Sequence, residues 1–179
     1  KKMKYIDVKK LVFIDESGVQ KNMTRNYGRI LGGNRLREPV PGTTWETTTI
    51  ISSIRYDGTC APMTIDGPID AEAFKAYVSE ILCPTLKKRD IVIMDNLPTH
   101  KVPGIAELIE KSGAQLLYLP PYSPDFNPIE KMWSKIKSTL RRIKARTKIE
   151  LDEAMMIAFN EVTSSDAIGW FKSCGYVLI

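Results

Sequence analysis

Three carboxylates stand where the residue pattern predicts the ends of buried elements. Asp15 follows the apolar run of FIDES, Asp95 follows that of IVIMD, and Glu130 comes after a proline-rich run. Carboxylate oxygens without a nearby set of cysteine or histidine ligands suit Mg²⁺ or Mn²⁺ better than zinc. Two such ions about 3.5–4 Å apart can clamp the attacking and leaving oxygens of a phosphoryl displacement. The three acids therefore predict metal-dependent chemistry on a phosphate substrate.

Asp15 and Asp95 each end an apolar run that is short enough to be a strand buried on both faces. The carboxyl ends of parallel strands meet at one edge of an open α/β sheet, so the two aspartates can lie close together there. An aspartate at a strand end more commonly just forms a turn. The pair weakens that alternative, because like charges brought together are costly unless a cation or a proton holds them.

Glu130 is approached through the run LPPYSPDFNPIEKMW, from Leu119 to Trp133, which holds four prolines. Each proline fixes φ and restricts the residue before it, so the run loses little entropy on ordering and can place a ligand repeatably. Asn127 is a favourable N-cap, which makes Pro128 the first helical residue and Glu130 the third. The same arrangement is also a capping-box variant that needs no catalysis.

Two further carboxylates compete with these three. Glu16 follows Asp15 directly, and neighbouring residues of a strand face opposite ways, so the two cannot point at one site without distortion. Asp125 lies in the proline-rich run before the helix. We expect Asp125 to form a turn and Glu130 to be the functional acid.

The elements that must position these acids follow from hydrophobic periodicity and turn residues. Asp57-Gly58 is a strong hairpin signal. Asp70 is a plausible N-cap for the helix that follows it, and Pro84 ends or kinks that helix. The predicted order is a strand at 10–17, two strands within 47–67, a helix from 70, a strand at 90–96, a helix at 103–113, a strand at 114–121, and helices after 127 and near 150–159. This order predicts an α/β fold. Its mixed five-stranded sheet has antiparallel first three strands, later strands parallel to the first, and flanking helices.

Composition limits the class of protein. The 179 residues fit a single domain, and the apolar fraction of 43% is ordinary for a globular chain. Apolar runs are too short to cross a bilayer, so we expect no membrane partner. The three cysteines are far apart and only one histidine is present, which argues against zinc and for a reducing compartment.

Basic residues cluster in two places, although the net charge is only +5. One cluster is a glycine-bearing loop over residues 21–42, and the other is the helix that follows Glu130. The apolar stripe of that helix predicts one packed face and one cationic face. Such a surface suits a polyanion such as DNA, although a basic face is often only solvated surface. The candidate DNA-binding residues are Arg25, Arg29, Arg35, Lys131, Lys135, Lys137, Arg141 and Arg142.

Three blocks together resemble the catalytic motifs of DDE transposases, specifically the mariner superfamily and its bacterial insertion-sequence branch. The blocks are FIDES, IVIMDNLPTH and LPPYSPDFNPIEKMWSKIK, and 34 residues separate Asp95 from Glu130, which resembles the spacing of that group. TRNYGRILGG also resembles the arginine- and glycine-bearing segment after the family's first strand. The resemblance extends from about Lys10 to about Tyr176.

The resemblance implies a ribonuclease H-like fold that forms one catalytic domain over residues 1–179. It also implies Mg²⁺-dependent cleavage of DNA at transposon ends and transfer of the 3′-hydroxyl end into target DNA. Asp15, Asp95 and Glu130 are then the catalytic and metal-binding residues, with two ions and with Mn²⁺ as a substitute, and Asn96 and His100 match a supporting block. Full-length members carry a helix-turn-helix DNA-binding region before this domain, and we expect none in this chain.

The family also implies a homodimer or larger assembly on DNA and, in a prokaryote, a cytoplasmic, nucleoid-associated location. Two alternatives stay open. A ribonuclease H-like nuclease or resolvase would cut without joining. A non-catalytic DNA-binding module derived from a transposase would bind DNA independently of Mg²⁺, but a binder gains nothing from three carboxylates that repel phosphate.

Overall fold

A five-stranded sheet forms the centre of the chain. The computed structural model describes residues 7–25, 27–29, 31–33, 35, 37, 39, 41–42, 46–121 and 123–177. The strands run in the order β3-β2-β1-β4-β5, with β1 antiparallel to β2, β2 antiparallel to β3, and β4 parallel to both β1 and β5. This topology confirms the predicted mixed sheet. The strands are β1 (Leu11–Gln20), β2 (Thr47–Arg55), β3 (Met63–Asp66), β4 (Ile91–Met94) and β5 (Gln115–Tyr118).

Helices cover both faces of the sheet and divide the core into two clusters. One cluster contains Phe74 and Ile109 of the first two helices, and the other contains Trp133, Leu151 and Phe171 of the last three. The sheet therefore separates two helical layers. The helices are α1 (Ala71–Ala76), which continues as a π-helical segment (Tyr77–Leu82) and a 3₁₀ turn (Cys83–Thr85), α2 (Ile105–Lys111), α3 (Ile129–Ile143), α4 (Lys148–Asn160) and α5 (Ser164–Ser173).

The central strand β1 sends alternate side chains into the two layers. Phe13 packs in the cluster of α3, α4 and α5, whereas Val12 and Ile14 pack in the cluster of α1 and α2. The same alternation carries Asp15 toward the α3 layer and Glu16 toward the α1 layer. The expectation that these adjacent acids face opposite ways is confirmed by their partners, described below.

Local signals place most helix boundaries. The side chain of Asp70 accepts a hydrogen bond from the Ala73 N–H (2.8 Å), as an N-cap does, and the helical run ends just after Pro84. The turn at Asp57-Gly58 also forms, with Gly58 at φ 88°, but β3 begins only at Met63. A Cβ on Gly58 would lie 3.2 Å from backbone atoms of Thr163, so this turn packs closely against the start of α5.

Two expectations about helices are wrong. Helix α5 has no counterpart in the prediction, although Thr163 and Asp166 form a capping box at its start. The carboxamide of Asn127 does not cap α3, because the helix begins at Ile129 after Pro128 and has no side-chain cap. The carbonyl of Asn127 instead accepts the Glu130 N–H at 3.3 Å. The first turn is therefore closed by backbone groups, as in a 3₁₀ turn.

A buried ion pair holds the entrance to β4. Arg55 Nη2 lies 2.6 Å from Asp90 Oδ2, and both side chains are almost fully buried. The same carboxylate oxygen accepts the Lys87 N–H at 2.7 Å, and Arg55 also donates to the Thr85 carbonyl at 3.0 Å. These bonds tie the start of the strand that leads to Asp95 to the end of β2, across the intervening strand β1. In the described part of the chain, none of the helices has the length and apolarity needed to span a membrane.

Candidate active site

One cavity of about 380 Å³ brings the three predicted acids together. Asp15 of β1, Asp95 just after β4 and Glu130 of α3 all line it. The expectation that Asp15 ends its strand is wrong, because β1 continues to Gln20; Asp15 lies just past the part of β1 that pairs with β4. The proline-rich run forms its opposite wall through Pro120, Pro121 and Pro124. The structure thus gathers Asp15, Asp95 and Glu130 as the sequence predicts, while their catalytic and metal-binding roles stay a prediction.

Asp15 sits on the inner side of this cavity and is held by two donors. The indole N–H of Trp133 in α3 donates to Oδ2 at 3.2 Å, and the backbone N–H of Glu16 donates to Oδ1 at 2.9 Å. Burial, followed by the negative charge of Glu130, raises the pKa of Asp15 to about 7, while the Glu16 N–H opposes the shift. Asp15 therefore lies in a site with an excess of negative charge.

Asp95 is tied to the other layer through His100. His100 is fully buried, its Nδ1 lies 2.6 Å from Asp95 Oδ1 in a close contact without hydrogen-bond alignment, and its Nε2 donates to Glu16 Oε1 at 2.8 Å. The ring also stacks on Phe74 of α1 at 4.5 Å. Burial lowers the pKa of His100, but Glu16 and Asp95 outweigh it and leave the pKa above its ordinary value.

The donor set suits a hard cation in its chemistry. Asp15, Asp95 and Glu130 offer only oxygen ligands, and their mutual repulsion is what a bound cation relieves. Among the residues that the structure describes, however, no group of three histidine, cysteine, aspartate or glutamate side chains is assembled as a ready metal centre. Asp15 and Asp95 face Trp133 and His100 instead, so a cation would have to draw their carboxylates toward a common point.

The other candidate residues differ in where they lie relative to the three-acid cavity. Asp125 lies in a 3₁₀ turn (Pro124–Phe126), is exposed, and is absent from the lining of the three-acid cavity. Asn96 lines that cavity and is exposed, whereas His100 stands behind it. Glu16 is the residue that sequence reasoning missed, because it was considered only as a rival to Asp15. The alternation of β1 predicted that Glu16 faces away from Asp15, but it gave no sign of the contact with His100.

The predicted DNA-binding residues differ in their exposure to solvent and in whether they pair with acidic side chains. Lys135 of α3 pairs with Asp166 of α5 at 2.5 Å and holds the pKa of that acid at about 2, and Arg142 pairs with Glu161. Lys131 is exposed, and Lys137 and Arg141 are half-buried. Arg25, Arg29 and Arg35 are exposed, while residues 26, 30, 34, 36, 38 and 40 of the predicted basic loop lie outside the described residues.

Comparison with known proteins defines the class. The sequence model described as DDE superfamily endonuclease matches residues 10–152, and the chain belongs to this family. A transposable element Tcb1 transposase from Caenorhabditis briggsae is 37% identical over 85 residues, which are 45% of this chain and 31% of that protein.

Solved structures show the same fold. A Mos1 transposase paired-end complex with the left transposon end matches 92% of this chain and 52% of its own chain, with a TM-score of 0.71 and 13% identity. A mariner Mos1 paired-end complex with Mg matches 92% of this chain and 53% of its own chain, with a TM-score of 0.68 and 13% identity. The fold is ribonuclease H-like, and the predicted resemblance to DDE transposases is confirmed. The chain spans about half the length of these Mos1 chains.

Proposed function

We propose that residues 1–179 form the catalytic domain of a transposase that cuts DNA at transposon ends and joins the 3′-hydroxyl end to target DNA. One observation carries this proposal: Asp15, Asp95 and Glu130 line a single cavity, and the charge of Glu130 helps to raise the pKa of Asp15. Membership in the DDE endonuclease family and the likeness to Tcb1 and Mos1 transposases support it.

Asp15, Asp95 and Glu130 are the residues that would hold Mg²⁺, with Mn²⁺ as a substitute and two ions in the site. When bound, such ions stabilise charge on the attacking and leaving oxygens of a phosphoryl displacement. The Mos1 complex solved with Mg supports divalent-metal use in this fold. The negative charge around Asp15 supports it from this chain's own residues.

The proposed chemistry needs no covalent bond to the protein. A water oxygen attacks phosphorus and the bond to the 3′ oxygen breaks, which leaves a 3′-hydroxyl and a 5′-phosphate. That hydroxyl then attacks a target phosphodiester and releases a target 3′-hydroxyl. The task of the side chains is positioning. His100 contacts the Asp95 carboxylate from behind the cavity, and Asn96 lies in the cavity lining.

The DNA backbone is proposed to lie along α3 and the basic loop. Lys131 adjoins Glu130 and is exposed, and Arg25, Arg29 and Arg35 are exposed as well. Lys137 and Arg141 extend the same helix, while Lys135 and Arg142 reach DNA only by leaving their acidic partners. Two or more chains assembled on DNA would hold two transposon ends, in keeping with the paired-end complexes of Mos1. In a prokaryote, the proposed site of action is the DNA of the nucleoid in the cytoplasm.

The test is strand cleavage of a transposon-end duplex in Mg²⁺. The variant Asp95→Ala should lose cleavage while its circular dichroism spectrum and melting temperature match a folded protein. A folded and active Asp95→Ala protein would sink the assignment. Pre-cut ends supplied with target DNA then distinguish a transposase, which joins them, from a nuclease or resolvase, which does not. DNA binding with no dependence of products on Mg²⁺ would indicate a binding module.

A further inference from the structure

Asn127 carries a buried polar atom with no partner at the edge of the acidic cavity. The residue is 4% exposed and lies two positions before α3. Its side chain lines the cavity shared by Asp15, Asp95 and Glu130. Within the described part of the chain, its Oδ1 atom accepts no hydrogen bond. Native proteins rarely leave such an atom unpaired, and each instance calls for a physical explanation.

Helix capping does not supply that explanation. The Asn127 N–H donates to the Pro124 carbonyl at 2.9 Å, and the Asn127 carbonyl accepts the Glu130 N–H at 3.3 Å. These backbone bonds already close the turn into α3, and the helix start has no side-chain cap. The carboxamide is therefore held in place by its backbone and by burial, while its buried oxygen is left without a donor.

The cavity itself offers this oxygen little to accept from. The three carboxylates are acceptors when ionised, and the indole N–H of Trp133 is already donated to Asp15. An unpaired acceptor beside a surplus of negative charge suits a positive ligand rather than a phosphate. Amide oxygens of asparagine are common ligands of hard divalent cations, beside carboxylates.

We infer that Asn127 supplies an oxygen ligand, directly or through a bound water, to a divalent cation held by the neighbouring acids. The inference rests on the proposed function, because it places the cation in the same cavity. It adds a neutral donor to a set of three carboxylates, which improves binding without adding more repulsion to the empty site. It also gives the stiff proline-rich approach to α3 a second task, since that segment then aims both Asn127 and Glu130.

Mn²⁺ binding to the metal-free protein tests this directly, by calorimetry or by electron paramagnetic resonance. The variant Asn127→Leu keeps the approximate volume and removes the oxygen, and Asn127→Asp keeps an acceptor. We expect Asn127→Leu to raise the Mn²⁺ dissociation constant about tenfold. The melting temperature of its metal-free form should be unchanged or higher, because an unpaired buried polar atom is lost. Asn127→Asp should bind Mn²⁺ at least as tightly as the unaltered protein.

The exposed Asn160 at the end of α4 provides the control, and Asn160→Leu should leave the Mn²⁺ dissociation constant unchanged. Equal Mn²⁺ affinity in Asn127→Leu and the unaltered protein would overturn the inference while the proposed function stands. So would equal weakening in Asn127→Leu and Asn127→Asp, since that indicates an essential amide N–H. A metal-free Asn127→Leu protein that melts well below the unaltered one indicates a purely structural amide. No Mn²⁺ binding to the unaltered protein would remove the proposed metal site and this inference together.

Discussion

His100 Nε2 lies 2.8 Å from Glu16 Oε1, and this bond fixes the ring whose other nitrogen meets Asp95. Glu16 thus acts on the candidate site from the face of the sheet opposite to Asp15. A buried ring that is hydrogen-bonded at Nε2 and stacked on Phe74 has few alternative orientations. The contact with Asp95 is therefore set by Glu16 as well as by local packing.

Removal of the Glu16 partner should loosen Asp95 without touching the cavity. We expect Glu16→Leu and His100→Ala each to lower the cleavage rate and the Mn²⁺ affinity by about 10–100-fold, the usual cost of losing a group that orients a ligand. Glu16→Gln keeps a hydrogen-bond acceptor and should stay within a few-fold of the unaltered protein. The exposed Glu72 of α1 serves as control through Glu72→Leu. Full Mn²⁺ affinity in both Glu16→Leu and His100→Ala would refute the positioning role.

The raised pKa of Asp15 makes stability depend on pH. Its pKa moves from 3.8 to about 7 on folding, so the folded state binds more protons than the unfolded state within that window. The free energy of unfolding must then fall as pH rises through it. The raised pKa of His100 acts in the same direction. Carboxyl groups whose pKa folding lowers, such as Asp166 and Glu161, act in the opposite direction at lower pH. The melting temperature of the metal-free protein should therefore decrease between about pH 5 and pH 8.

Asp15→Asn should flatten that decrease and raise the melting temperature at pH 8, because the buried charge is gone. A change of 1 kcal/mol moves the midpoint by about 2–4 °C in a chain of this size, which calorimetry resolves. The exposed Asp125 offers a matched control, and Asp125→Asn should leave the pH dependence as it is. Parallel pH profiles for Asp15→Asn and the unaltered protein would contradict the assigned burial of charge.

Loss of the carboxylate at Asp90 should be among the most damaging single changes to the fold. Asp90→Ala leaves Arg55 buried without its partner, which costs about 3–5 kcal/mol in comparable sites. The double variant Arg55→Met with Asp90→Leu should recover most of that loss, since an apolar pair can replace a buried ion pair. Urea denaturation measures the free energy of unfolding of the single and the double variant. A control at the exposed Glu110 of α2, Glu110→Ala, should change the free energy of unfolding little.

The ion pairs of α3 predict unequal contributions to DNA binding. Lys131 is exposed, so Lys131→Gln should reduce the slope of log K against log salt concentration by about 1. Lys135 is already paired with Asp166, so Lys135→Gln should change the slope less. The exposed Lys111 of α2, on the opposite face of the sheet, is the control. Equal slope changes for Lys131→Gln and Lys111→Gln would show that α3 is not the DNA-binding face.

The strand directions and the gathering of three acids were predictable because they depend on local pattern and general topology. An apolar run that ends in an acid is visible in one strand at a time, and parallel strands bring such ends together. The contacts of His100 were not predictable, because its bond to Glu16 joins residues 84 apart and depends on which face each side chain takes. Helix α5 was missed because Gly169 interrupts a short and weakly patterned segment.

Asn127 shows a different limit of prediction from sequence. Its residue type and its position before Pro128 are those of an N-cap, and that pattern led to the wrong role for the side chain. The 3₁₀ turn at Pro124–Phe126 sets the backbone so that the carbonyl takes the Glu130 N–H instead. A choice between side-chain and backbone closure of one turn depends on small dihedral differences that residue type alone does not specify.

The sheet divides the support of the two aspartates between the two helical layers. Asp15 is attached to the α3 layer through Trp133, while Asp95 is attached to the α1 layer through His100 and Phe74. Loss of packing in either layer would therefore release one of the two aspartates, so the arrangement of the acidic cavity depends on both halves of the core.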